Sequence, residues 1–286
     1  MALYTTFHIG GPADILITAP SWQTAACVLD VCRQQVIPVM LVGKGSNLLV
    51  SDEGIEGVVL QLDGQSGSVS CDESTGRVTA FGGTSLMRLC REACDHGLSG
   101  LEFAFGIPGS VGGGVYMNAG AYGGQIADVL HSVTLLSPRN GQMRTVSAAD
   151  LQLRYRHSLL METGEVVMEA IFQLFPGDKD RITARMEELI TRRRDKQPLE
   201  YPSAGSFFKR PEGHFAAALI DECGLKGFSV GDAQVSEKHA GFVVNRGQAT
   251  CRDMVALKRE VCRRVWEQRG VRLEPEVALT GRNVSW

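Results

Sequence analysis

The chain has 286 residues, with 29 Lys and Arg against 32 Asp and Glu and a net charge of −3. That length allows two domains with a sizeable core, and 44% apolar with 21% charged residues is ordinary for a soluble globular protein. The charge balance excludes a globally basic surface for nucleic acid, no apolar run is long enough to cross a bilayer, and MALYTTFHIGG lacks the layout of a signal peptide, so a cytoplasmic protein is expected.

Residues 13–19 (ADILITA) alternate as a strand. Ser21 then caps a helix through Gln35, with Ala25, Val28, Leu29 and Cys32 inward. A buried strand is expected over Val36–Val42, running into Gly43-Lys44-Gly45-Ser46-Asn47. LLVSDEGIEGVVLQL reads as strand and turn, and Gly76–Gly82 as a further strand. Thr84 is expected to cap a helix through His96, ended by Gly97. Beyond a glycine-rich stretch, strands are expected over Val129–Ser137, Met143–Val146 and Glu165–Phe175. The first part is therefore α+β.

Composition shifts at Pro176-Gly177-Asp178-Lys179, which reads as a boundary. A helix follows to about Arg194 with Met186, Leu189 and Ile190 inward. Arg192-Arg193-Arg194 reads as its solvated end, favoured by the macrodipole, with a phosphate contact as the alternative. Residues 214–223 form a short helix closed by Gly224. Thr250 with Asp253 opens a long helix in a capping box. Met254, Leu257, Val261 and Val265 form its apolar face, and Gly270 stops it. A final strand is expected over 271–280. The eight cysteines include no C-x-x-C pair, so they read as small core or boundary residues of a reduced protein rather than as metal ligands.

The most informative stretch is Gly100–Gly124, GLEFAFGIPGSVGGGVYMNAGAYGG, in which nine of the 25 residues are glycine. Glycine is costly to order and adds no packing. Here it comes with Ser, Asn and Tyr rather than with linker residues, which points to backbone lying flat against a ligand with N–H groups aimed at oxygen. A run of tight turns is the alternative. Gly43-Lys44-Gly45-Ser46-Asn47 can form a similar cradle after its strand, although it matches neither a Rossmann nor a Walker pattern. Together they suggest two backbone cradles around one diphosphate-containing cofactor.

Three further groups of residues carry candidate chemistry. Arg156, in YRHS, can hold a carboxylate bidentately or lie in a surface ion pair. Ser206, in SAGSFFKRP, has small neighbours, but it lacks the nucleophile elbow of an α/β-hydrolase. A serine hydroxyl is a weak acid and donates a proton only to a strongly basic acceptor such as a carbanion or enolate. Lys209 and Arg210 can stabilise the charge that develops, and a hydroxyl bonded to its own loop is the alternative. Glu274 and Glu276 fall on one face of the final strand, where they form either a paired surface or a general acid–base site.

Several strings in order, TTFHIGGPAD, VGKGSNLLVSDEGIEGVVL, GLEFAFGIPGSVGGGVYMNAGAYGGQI, YRHSLL, SAGSFFKRP, LIDECGLKGFSVGDAQVSEKHAGFVVN and LEPEV, resemble the UDP-N-acetylenolpyruvoylglucosamine reductase family over nearly the whole chain. The resemblance implies a vanillyl-alcohol-oxidase-type FAD-binding domain over 1–177, of two α+β subdomains meeting near 60–65. An α+β substrate-binding domain follows over 178–286, and its final strand returns toward the flavin. It implies FAD held by Gly43, Lys44, Gly45, Ser46, Asn47 and Leu48 and by Gly106, Pro108, Gly109, Ser110, Gly112, Gly113 and Asn118. NADPH is the co-substrate, and the substrate is the enolpyruvyl ether of UDP-N-acetylglucosamine, with Lys209 and Arg210 in its site. Position by position, Ser206 matches the proton donor, and Arg156 and Glu276 the residues acting on the enolpyruvyl carboxylate. No metal, membrane or nucleic-acid partner is implied, and a monomer is expected. Arg210 stands where the family usually has asparagine near the diphosphate, and the chain lacks the tyrosine-bearing insertion of one subclass. An FAD-dependent oxidase on the same cofactor fold, or a flavin- or nucleotide-binding module without turnover, are the competing readings.

Overall fold

The alternation at 13–19 forms the strand Ala13–Ala19, and Ser21 caps the helix Trp22–Gln34 by accepting from the Thr24 amide. These belong to a computed structural model that describes residues 1–65 and 68–286. The chain divides into two compact units. One comprises Met1–Asp14, Gly45–Glu56 and Arg194–Trp286, the other Ile15–Lys44 and Gly57–Arg193.

The second unit holds most of a three-stranded sheet, in which Val39–Val42 runs parallel to Ile55–Leu62, and a five-stranded antiparallel sheet centred on Leu130–Leu136 and Val166–Gln173. The expected strand at 36–42 begins only at Val39. Val36 has φ +56° and is 88% exposed, because the chain turns there off the preceding helix. The Ile37 amide still bonds back to the Cys32 carbonyl. The expected cap at Thr84 shifts by one: Ser85 accepts from the Arg88 amide and the helix is Leu86–Asp95. Thr84 is instead fully buried, and its hydroxyl has no partner among the described residues. Cys90 and Cys94 face the core on that helix, where burial raises the Cys90 thiol far above its ordinary value.

The first unit is a four-stranded antiparallel sheet, with Ser203–Ser206 beside the wholly buried Phe242–Asn245, packed with the helices Ala216–Glu222 and Cys251–Arg269. The capping box of Thr250 and Asp253 forms as the sequence implies, and Gly270 ends the helix in the left-handed region. Asp52 adds a second cap, its carboxylate accepting from the Cys251 and Arg252 amides at 2.8 and 3.0 Å. Burial and this carboxylate push the Cys251 thiol up to about 12. An anion at a helix N-terminus satisfies orphan donors and meets the positive end of the dipole. Asp52→Ala is therefore expected to cost about 2 kcal/mol, seen as a lower denaturant midpoint at unchanged slope.

The last strand is shorter than expected. Only Ala278–Thr280 is regular, parallel to Leu48–Val50. The preceding residues meet the chain at one isolated bridge, Phe208 with Pro275. Pro275 has no N–H to extend a ladder. Among the described residues no helix is long and apolar enough to cross a membrane.

Candidate active site

In the first unit Ser206 ends its strand at a bulge. Ser203 pairs with Val244 and Ser206 with Phe242, so the Ser206 strand carries one residue more than its partner. Gly205 absorbs it at φ +78°, where open space surrounds the missing side chain. The next residue anchors the segment. Phe207 is fully buried, edge-on to Phe7, Phe208 and Trp286 at 5.1–6.2 Å between ring centroids, contacts worth about 0.5–1.5 kcal/mol each beyond their area. Ser206 stays exposed beside this anchor, and its hydroxyl makes no hydrogen bond among the described residues. The alternative of a hydroxyl spent on its own loop is therefore not what forms.

The same segment brings Glu276 to Ser206. The Glu276 amide donates to the Phe207 carbonyl at 2.8 Å, and the Lys209 amide donates to the Glu274 carbonyl at 2.9 Å. Asn47 then fixes the Glu276 backbone: its side-chain amide donates to the Glu276 carbonyl at 3.1 Å, and its own carbonyl accepts from the Ala278 amide at 2.9 Å. Two segments distant in sequence, 207–209 and 274–276, thus form one short ladder. Around it, Lys209 pairs with Glu274 at 3.6 Å, both exposed, and the Arg210 guanidinium lies over the Phe215 ring at 4.6 Å.

Arg156 lies in the second unit, at the tip of a two-residue hairpin. Arg154 and His157 exchange both backbone hydrogen bonds at 3.1 Å, leaving Tyr155 and Arg156 as corners. Arg156 takes φ +52°, its guanidinium lies over the Tyr155 ring at 5.2 Å, and its Nη2 donates to the Gly120 carbonyl at 3.5 Å.

The glycine stretches divide the expected cofactor contacts. Residues 111–116 form a short helix rather than a loop. Its first amides are taken by protein: Val111 donates to the Thr84 carbonyl, Gly112 to the Gly82 carbonyl and Gly113 to Ser110 Oγ. The Gly112 and Gly113 amides are thus satisfied within the protein. Asn118 is 1% exposed, and its amide bonds Gln125, Arg154 and Ala127, so its side chain is occupied too. The earlier loop behaves otherwise. The Gly43, Lys44, Gly45 and Ser46 amides donate to no protein acceptor among the described residues. At Gly43 a Cβ would meet Ser110 Oγ at 2.5 Å, a side-chain atom, whereas Gly45, at φ +61°, needs to be glycine because a Cβ would meet the Tyr4 carbonyl at 2.0 Å. Beside Gly43 sits Ser110, whose neighbour across the bridge is Ser85, next to the orphaned Thr84 hydroxyl. Uncommitted amides on side-chain-free backbone fit an anionic cofactor.

Arg193, expected at a solvated helix end, is a further site candidate. It is half-buried against Gly106, and burial lowers its pKa. No ion pair satisfies it among the described residues. The helical period put Ile190 inward, and one turn of context around Gly106 would have put Arg193 there with it.

Two family models match the chain: an FAD binding domain over residues 13–147, and the C-terminal domain of UDP-N-acetylenolpyruvoylglucosamine reductase over 197–280. The chain is 48% identical to the UDP-N-acetylenolpyruvoylglucosamine reductase of Agathobacter rectalis, covering 98% of this chain and 92% of that one. The chain belongs to the UDP-N-acetylenolpyruvoylglucosamine reductase family. The relative from Clostridium novyi is 47% identical over 98% of the chain and 90% of its own length. The crystal structure of the Thermus caldophilus reductase matches with a TM-score of 0.81 at 39% identity, covering 97% and 96% of the two chains. The chain is thus an α+β protein with an FAD-binding domain followed by the family's C-terminal domain. Gly43–Leu48 and Gly106–Asn118 fall within the first model, and Ser206, Lys209, Arg210 and Glu276 within the second. Arg156 falls in the stretch of sequence that neither model matches.

Proposed function

We propose that this chain is an FAD-containing oxidoreductase that uses NADPH to reduce the enolpyruvyl ether of UDP-N-acetylglucosamine to UDP-N-acetylmuramate, a step of peptidoglycan precursor synthesis. Bound FAD would supply the redox chemistry, taking hydride from NADPH and giving it to the vinyl CH2 carbon. The chain's own residues handle charge and protons. Adding hydride to that carbon leaves an electron pair on the adjacent carbon, delocalised into the carboxylate as an enolate. Arg156 offers a planar fork of donors for that carboxylate, and Glu276 in its acid form offers a further donor. Ser206 gives its proton to the enolate carbon, an acceptor basic enough to take one from a hydroxyl. Lys209 and Arg210 belong to the substrate side. We keep the functional boundary at 177/178, in the interval between the two family models, although the compact units change at 193/194 and group 1–14 and 45–56 with the C-terminal part. The FAD contacts are assigned to Gly43–Leu48 and to Gly106, Pro108, Gly109, Ser110, Gly112 and Gly113, whereas the Asn118 side chain, spent on Gln125, Arg154 and Ala127, lies outside them. The protein acts as a monomer in the cytoplasm.

What supports this reading most is the ladder that sets the Glu276 amide on the Phe207 carbonyl, next to the exposed Ser206, in a chain of this family. Purified protein is expected to be yellow, to bleach on anaerobic addition of NADPH, and to recover its colour only when the enolpyruvyl substrate is added. Rapid recovery in air without that substrate would identify an oxidase instead.

Glu276→Gln is expected to slow recovery by about 10²-fold and to leave bleaching unchanged. Loss of one donor to a developing oxyanion costs about 10²–10³-fold, and the amide keeps a donor, which places the effect at the low end. Unchanged turnover would remove Glu276 from the chemistry.

A further inference from the structure

Arg156 adopts a backbone conformation that costs a non-glycine residue about 1–3 kcal/mol and persists only where the surroundings over-determine it. Three contacts supply that determination, all within one unit. Ser158 Oγ, fully buried, donates to the Tyr116 carbonyl at 2.6 Å. Asn118 Nδ2 donates to the Arg154 carbonyl at 3.1 Å. Arg156 Nη2 donates to the Gly120 carbonyl at 3.5 Å. Residues 116, 118 and 120, every second position of one segment, therefore hold 158, 154 and 156 of the other.

Asn118 is the centre of this arrangement. The Arg154 carbonyl that it binds is also the acceptor for the His157 amide, which closes the hairpin. Its second Nδ2 proton goes to Gln125 Oε1 at 3.0 Å, and its Oδ1 accepts from the Ala127 amide at 2.9 Å. Every polar atom of the side chain is used. Alanine would remove three hydrogen bonds and leave the Arg154 carbonyl, the Ala127 amide and Gln125 each one partner short.

We propose that Asn118 is a positioning residue for Arg156, clamping the 154–157 hairpin in the conformation that presents the guanidinium, with Ser158 as the second clamp. The inference rests on the reading of Arg156 as the residue that binds the enolpyruvyl carboxylate. Asn118 touches no reacting atom. It acts by preventing the hairpin from relaxing to an ordinary turn, which would swing the guanidinium away. A displacement of about 1 Å in a positioned group costs about 10²-fold in rate.

The test uses the holoenzyme with Asn118→Ala, Ser158→Ala, Arg156→Ala and the doubles with Arg156→Ala, and Gln125→Ala as control. Asn118→Ala and Ser158→Ala are each expected to keep FAD and bleach with NADPH at close to the normal rate. Recovery with the enolpyruvyl substrate should then slow by about 10²-fold. Neither should add to the loss caused by Arg156→Ala, because a clamp has nothing left to position once the guanidinium is gone. Gln125→Ala, which spares the bond to Arg154, should leave both half-reactions unchanged. Amide hydrogen exchange at His157 should rise in Asn118→Ala whatever Arg156 does chemically. Equal slowing of both half-reactions, additivity with Arg156→Ala, or unchanged exchange at His157 would overturn the proposal. If Arg156→Ala itself recovers at the normal rate while exchange at His157 rises in Asn118→Ala, the clamp stands as structure and the catalytic reading of Arg156 is what fails.

Discussion

Ser206→Ala is expected to bleach with NADPH at nearly the normal rate and to recover with the enolpyruvyl substrate about 10²–10⁴-fold more slowly, the range for losing a positioned acid. The asymmetry follows from where protons are needed. Hydride leaves NADPH without requiring a proton from the protein, whereas the substrate carbon must gain one after hydride has been added. Ser206 is suited to that second event alone. It is exposed at the end of a strand, its hydroxyl is not spent on protein, and the bulge at Gly205 and the buried ring of Phe207 fix its backbone. Alanine removes only the hydroxyl and disturbs none of the backbone bonds at 206 and 207, so the melting temperature should hold. Stopped-flow absorbance of the two half-reactions separates the outcomes. A matched loss in both would make the serine structural, and a normal second half-reaction would remove it from the mechanism.

Local signals carried the helices. The Thr250–Asp253 box, the stop at Gly270 and the apolar stripe of Met254, Leu257, Val261 and Val265 are all contained in the one stretch 250–270, and all form as the sequence implies. Ordered strings carried the family, because their sequence of appearance is specific where any one of them is not. Contacts between distant segments were not legible. Asp52 caps a helix that begins 199 positions later. The ladder of 207–209 with 274–276 joins segments whose individual patterns say nothing of each other. A side chain's own type also left two roles open. Asn118 and the glycines at 112 and 113 read as ligand contacts because small and amide residues serve ligands, caps and tight turns alike, and the sequence does not show that the Asn118 side chain and the Gly113 amide already have partners within the protein. Periodicity failed at Val36 for a similar reason. An apolar run entering a strand looks the same whether its first residues lie in the sheet or in the turn before it, and here Val36 is exposed in the turn.

Gly45→Ala is expected to cost about 1–3 kcal/mol from its φ of +61° alone, and more because the new methyl carbon would stand 2.0 Å from the Tyr4 carbonyl and 3.0 Å from Thr5 Cα. Both obstructions are backbone, so no side-chain rotation relieves them. The segment around Tyr4 must move, and with it the hydrogen bond from the Thr6 amide to the Gly45 carbonyl. The variant should therefore melt several degrees lower and be purified with little FAD. Gly43→Ala provides the comparison that separates packing from cofactor contact. Its obstruction is a single side-chain atom, Ser110 Oγ at 2.5 Å, with Ser110 Cβ at an ordinary 3.6 Å. Removing that atom removes the clash, so Gly43→Ala with Ser110→Ala should be close in stability to Ser110→Ala alone, which itself loses one helix cap worth about 1 kcal/mol. No second substitution of that kind exists for Gly45. If Gly45→Ala melts normally and keeps its flavin, the backbone there has slack that a 2.0 Å approach to the Tyr4 carbonyl does not allow, and the amides of 43–46 are not held rigidly enough to serve as a preformed cradle.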